Sequence, residues 1–178
     1  GGLAPVAPVY SDSGRSSPLD WSLSLVLHAD SLKRFNPVPY LLQFLQEIHG
    51  LRPSSGVLHS VLGELYSNAL EHGVLGLDSR LKQDAEGFAE YYRERGRRLA
   101  ALSEGFVQIA LRVEPMAAGG RLTVEISDSG TGFDIEKVLA RPASEKGFSG
   151  RGLHLVQRLG VRAQWLDQGR RARVEFGW

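Results

Sequence analysis

A chain of 178 residues and 19.5 kDa, 42% hydrophobic and 23% charged, is long enough for one compact domain and too short for two full ones. Its 21 Lys and Arg against 20 Asp and Glu leave a formal charge of +1, too balanced for phosphate-backbone binding, and no apolar run approaches a bilayer span or a secretion signal; nucleic acid and membrane are set aside and the cytoplasm is the expected compartment. The absence of cysteine removes disulfides, thiolate nucleophiles and Cys-ligated zinc together, and the five histidines lack paired metal spacing.

Residues 1–20 mix Pro, Gly, Ser and small apolar residues without periodicity and read as a linker, and a first residue other than Met reads as the start of an excised piece. From Trp21 the run WSLSLVLH alternates Trp21, Leu23, Leu25 and Leu27 with Ser22, Ser24 and Val26, which predicts a half-buried strand. Asn36 before Pro37 is a helix start, and Leu41, Leu42, Leu45 and Ile48 then recur at helical spacing up to Gly50. A second helix is predicted from about Pro53 to Gly73, with Val57, Leu58, Val61, Leu62, Leu65, Tyr66 and Ala69 as its core stripe. Between Asp78 and Ser103, Leu81, Ala85, Phe88, Tyr92, Leu99 and Leu102 predict one long helix or two, interrupted at Gly96. FVQIALRVEP after Gly105 and RLTVEISDSG after an Ala-Gly-Gly turn are alternating runs expected to pair as antiparallel strands. A short helical stretch at 134–140, a loop RPASEKGFSG and a helix from Arg151 to Leu159 follow, and the chain closes with a hairpin turning near Gln168 and Gly169. One strand before the helices and four after give an α+β fold over 21–178, a two-layer sandwich with helices on one face of a mixed, mostly antiparallel sheet.

Three short blocks carry candidate chemistry. In Leu62 to Gly73, Glu64 and Asn68 lie four apart on one helical side with Glu71 and His72 one turn further; a solvated face is the alternative reading of such a stripe. At the end of the RLTVEISD run, Asp128 is followed by Gly130 and Gly132. Such a turn lets backbone approach a ligand closely, and a buried carboxylate there accepts from an amine donor; the alternative is an Asp that caps a glycine turn. Ser149, Gly150, Arg151, Gly152 and Leu153 open a helix whose free N–H groups and positive dipole end suit a phosphate, or are only a helix start. Arg93, Arg95, Arg97 and Arg98, interleaved with Glu90 and Glu94, read as a solvated helix face or a protein-contact surface rather than an RNA site. The Gly-xxxx-Gly-Lys-Ser/Thr phosphate loop is absent.

Taken in this order, the three blocks make the chain similar to the GHKL ATPase superfamily, which includes gyrase, chaperone, histidine kinase and mismatch-repair ATPases and whose nucleotide domain is an α/β sandwich of the Bergerat type. Glu64 to Gly73 matches the family's N box, Asp128 to Gly132 its first glycine box and Gly150 to Leu153 its second, so the resemblance covers about 21–178. The form Glu-Leu-xx-Asn-Ala-xx-His-Gly and the short lid look most like bacterial anti-sigma factor serine/threonine kinases. The helical insertion at about 75–103 is similar to the C-terminal kinase domains of response regulators that also hold a phosphatase domain.

The resemblance implies ATP and Mg²⁺ as cofactors. Asn68 would hold Mg²⁺ through its amide oxygen. Glu64 would orient or deprotonate the attacking Ser or Thr hydroxyl, contributing less than positioning does, because phosphoryl transfer passes through a loose transition state. Asp128 would take the adenine amino group, with Gly130 and Gly132 in the same box and Gly132 permitting close approach of the ring. Gly150, Arg151, Gly152 and Leu153 would form the second box, offering backbone N–H groups and the Arg151 cation to the phosphates. His72 matches the family's His and takes a supporting role near the nucleotide.

The implied activity is phosphorylation of a STAS-type anti-sigma factor antagonist in bacterial partner switching. The implied partners are that antagonist, a sigma factor, adjacent receiver and phosphatase domains in a longer chain, and a second copy in a homodimer. A second class of function is a nucleotide-gated binding module that sequesters a sigma factor or antagonist, or regulates a neighbouring phosphatase domain, with little turnover. A metabolic ATPase or chaperone fragment would need a transducer domain, for which this length leaves no room.

Overall fold

The computed structural model describes residues 19–130 and 162–178. Five strands form one sheet in the order β1-β2-β3-β5-β4, where β1 is Trp21–His28, β2 Phe106–Pro115, β3 Gly120–Asp128, β4 Arg162–Leu166 and β5 Arg171–Gly177. The sequence predicts a mixed sheet, yet every pairing among the described residues is antiparallel. The reason is topological: β3 and β4 run the same way, but β5 lies between them.

The period-two patterning decides the sheet's faces. Register aligns Leu25, Ile109, Ile126, Ala172 and Trp165 in one row and Leu23, Leu111, Val124, Val174 and Ala163 in the next. On the opposite face stand cross-strand ion pairs, Arg121 with Glu114 at 2.7 Å, Arg173 with Glu125 at 2.9 Å and Arg162 with Glu175 at 3.7 Å. These pairs are open to water, so each contributes about 1 kcal/mol or less and mainly keeps that face wetted.

The apolar face carries the helices: α1 Ala29–Arg34, α2 Val38–Gln46, a 3₁₀ turn His49–Ser54, α3 Ser55–Ser67, a π-helical turn Asn68–Val74, a second 3₁₀ turn Ser79–Gln83 and α4 Ala85–Ala101. One hydrophobic cluster joins Leu45, Val61, Leu62, Leu70 and Tyr91 to the strand residues Val107, Leu122 and Val174. Asn36 Oδ1 accepts from the Val38 N–H at 3.1 Å, the cap its position predicts. Trp178 fills a socket in which Gly50, Gly119 and Gly120 leave no room for a Cβ, and it exchanges backbone hydrogen bonds with Gly120.

Several sequence expectations need correction. The six-residue α1, under two turns long, is not foreseen. Pro53 falls inside the first 3₁₀ turn, so α3 begins at Ser55, and its end passes into a π-helical turn at Asn68 instead of continuing as α-helix to Gly73. Gly96 does not interrupt α4: a Cβ there would meet open space, and a solvent-side glycine weakens a helix by about 1 kcal/mol without breaking it. The predicted stripe faces inward only at its C-terminal end, where Leu99 and Leu102 pack against the core. Leu81, Phe88 and Tyr92 are exposed, whereas Tyr91 is fully buried. No described helix is long and apolar enough to cross a membrane.

Candidate functional site

The site lies where α3 and its π-helical end pass over the C-terminal tip of β3. Asp128 is the last residue of that strand and, being opposite Val107 in the register, sends its side chain to the helix-covered face, where it is 9% exposed. Its backbone N–H donates to the Arg170 carbonyl at 2.9 Å, and its Oδ1 accepts from the Gly130 N–H at 2.7 Å. Among the described residues, that amide is the only hydrogen-bond donor to the carboxylate.

Gly73, at the other end of the N-terminal block's motif, rests directly on this carboxylate: a Cβ on Gly73 would overlap Asp128 Cγ and lie 2.5 Å from Oδ2. A Cβ on Gly130 would strike the Gly73 carbonyl oxygen. Two blocks separated by more than fifty residues in sequence thus meet in one contact that only glycines allow. Beside it, Leu65, Asn68, Ala69, Ile126, Asp128, Trp165, Gly169 and Ala172 line a shallow cleft open to solvent. Gly169 reaches this wall because the β4–β5 turn is left-handed over Asp167, Gln168 and Gly169, with φ of 51°, 58° and 87°.

The cleft therefore joins a recessed carboxylate, a neutral amide and an apolar wall that includes one aromatic ring. Burial, opposed by the Gly130 N–H and the Arg170 cation, pushes the Asp128 carboxyl up from 3.8 to about 6. A carboxyl raised on folding binds its proton more tightly in the native state, so its cost is absent below pH 4 and fully felt above pH 6. Asp128→Asn is accordingly expected to be more stable than wild type at pH 7, with the difference vanishing as pH falls through 6 toward 4; urea melts of both proteins across that range check it. A charge kept where it opposes stability is a mark of a functional group.

Glu64 lies one helical turn before Asn68 and is half-buried. Burial raises its pKa, the Lys82 cation lowers it and the Glu71 carboxylate raises it again. Glu64 is not among the residues that line the cleft. Glu71 does not continue the same solvated stripe. The π-helical turn, marked by the Leu75 N–H donating to the Leu70 carbonyl at 2.9 Å, carries it to the segment 79–101, where it is 5% exposed. Tyr91 Oη donates to its Oε1 at 2.6 Å, Lys82 Nζ lies 3.4 Å from the same oxygen and Arg95 Nε donates to Oε2 at 3.2 Å. His72 also turns this way: Nδ1 lies 2.8 Å from the Leu77 carbonyl oxygen, and the ring faces Tyr91 with centroids 6.4 Å apart. It is absent from the cleft lining.

Structure brings Asn68, Asp128 and Gly130 together, with Glu64 one turn away. Gly132, Gly150, Arg151, Gly152 and Leu153, and the helical stretches expected at 134–140 and 151–159, lie outside the described residues. Sequence reading missed Trp165, Gly169 and Ala172 as cleft residues, although strand alternation opposite Ile126 would have placed Ala172 and Trp165 on this face. Among the described residues no group of three or more His, Asp or Glu side chains is arranged to hold a metal. No known protein-family model matches this chain, and no curated protein matches it.

Proposed function

We propose that the chain is a Bergerat-type nucleotide-binding domain that takes up ATP with Mg²⁺ and transfers the γ-phosphoryl group to a Ser or Thr of a STAS-type anti-sigma factor antagonist. The observation that carries this reading is the contact of Gly73 with the recessed Asp128 carboxylate at the end of a cleft whose other polar wall is Asn68. The lining chemistry suits a flat heteroaromatic amine: Asp128 would accept from its exocyclic N–H, and Ile126, Ala172 and Trp165 offer an apolar wall. Asn68 supplies a neutral oxygen of the kind Mg²⁺ takes, and the ion, once bound, would neutralise phosphate charge. Glu64, drawn between burial and the Lys82 cation, is the group to accept the acceptor hydroxyl's proton as its oxygen bonds phosphorus and ADP leaves. Gly150, Arg151 and Gly152 are assigned to the phosphates on the sequence pattern alone.

Incubation of the purified chain with γ-labelled ATP, Mg²⁺ and STAS proteins tests this. Label is expected to move to the antagonist, and Glu64→Gln is expected to slow transfer by about tenfold or more with ATP affinity retained. Transfer at the wild-type rate by Glu64→Gln would remove Glu64 from the chemistry. A stable complex without transfer would instead support a nucleotide-gated binding module, and no ATP uptake would end both readings.

A further inference from the structure

We infer that the segment 79–101 is a positioning device for the nucleotide site: through Lys82, Tyr91 and Arg95 it grips Glu71 and so fixes the wide turn that sets the spacing between Asn68 and the Gly73–Asp128 contact. The inference rests on the nucleotide reading above and adds to it a role for the helical insertion.

The turn in question spans Asn68–Val74, with the metal-side amide at its first residue and the adenine-side glycine near its end. π-helical turns are rare and short because ordinary α-helical hydrogen bonding competes with them. Reversion of this turn to α-helix would shift everything beyond Asn68 relative to α3, and Gly73 would leave the carboxylate on which it sits. The turn is held from outside at Glu71 and again at its far end. Both oxygens of Glu71 are engaged, Oε1 by Tyr91 and Lys82 and Oε2 by Arg95. Lys82 is seated over the Tyr91 ring, 4.1 Å from its centroid, and its side chain is 11% exposed. Arg98 fastens the far end of the turn, with Nη1 2.9 Å from each of the Leu75 and Gly76 carbonyl oxygens. Burial, and after it the bond to Glu71, raises the Tyr91 hydroxyl far above its ordinary range, so it remains a donor at any working pH. A buried ion pair gains little net stability against desolvation, which makes fixed geometry the better account of so many partners on one carboxylate.

The test compares two affinities in the same protein, for adenosine and for ATP with Mg²⁺, by calorimetric titration of wild type, Lys82→Met, Tyr91→Phe and Lys82→Arg. Adenosine engages only the Asp128 end, so its affinity is expected to hold in every variant. The gain in affinity from adenosine to Mg²⁺·ATP needs both ends in register, and it is expected to fall about tenfold or more in Lys82→Met and Tyr91→Phe and to return in Lys82→Arg. Amide hydrogen exchange at residues 71–75 is expected to quicken in the two weakened variants but not in Lys82→Arg. A purely structural role would lower melting temperature and leave the gain unchanged, which would overturn the inference, as would unchanged exchange. If wild type takes up neither ligand, the nucleotide reading falls and this inference with it; if wild type takes up both and the variants keep the full gain, only the inference falls.

Discussion

Glu71→Ala is expected to cost about 3–5 kcal/mol of unfolding free energy, the range for breaking a buried ion pair from one side. Removing the carboxylate leaves the Lys82 ammonium almost enclosed by Tyr91 and Tyr92, the Arg95 guanidinium without its Oε2 partner, and the Tyr91 hydroxyl, inside the core, without an acceptor. Lys82 and the Tyr91 hydroxyl were desolvated at a cost that Glu71 offsets in large part. Glu71→Gln separates the contributions, since an amide oxygen still accepts from Tyr91 while the charge is gone; an intermediate loss is expected. Urea denaturation followed by circular dichroism measures both. A loss under 1 kcal/mol for Glu71→Ala would show that water reaches the cluster and that segment 79–101 is docked by Tyr91 packing instead.

Why this cluster escapes a sequence reading is physical. Helical periodicity reports neighbours three or four residues away, whereas Lys82, Tyr91 and Arg95 reach Glu71 across 11, 20 and 24 residues. The π-helical turn adds a second obstacle, because residues beyond Asn68 no longer follow the 3.6-residue repeat. In the segment 79–101 the large apolar side chains Leu81, Phe88 and Tyr92 suggest the wrong buried face, since much of its inward side is built from an aromatic ring and cations satisfied by distant partners. The strands were legible for the opposite reason: with one wet face and one dry face, β2 and β3 alternate without exception from Val107 to Val113 and from Leu122 to Asp128. The Asp128-to-Gly130 turn was legible as well, because a glycine needed for close approach leaves a mark in the sequence itself. What the sequence could not say is which backbone approaches, and the structure answers that it is the helix end at Gly73.

Gly73→Ala is expected to destabilise the fold by about 1–3 kcal/mol, as an overpacked contact does, and to abolish adenosine uptake at the same time. Gly73 does not have a left-handed backbone, so alanine can adopt its conformation and the whole effect comes from one methyl group pressed into the Asp128 carboxylate. The methyl drives the Asp128 side chain out of the cleft, and that movement removes the acceptor that an adenine amino group would use. The double variant Gly73→Ala with Asp128→Ala removes the group that the methyl strikes. Its stability is expected to recover to within about 0.5 kcal/mol of Asp128→Ala alone, so the two substitutions should be strongly non-additive, while adenosine uptake stays lost because the carboxylate is gone. Recovery of stability together with uptake would show that a ligand in this cleft is recognised without Asp128. Additive losses would show that Gly73 is required for another reason, such as the close approach of Gly130 to its carbonyl oxygen.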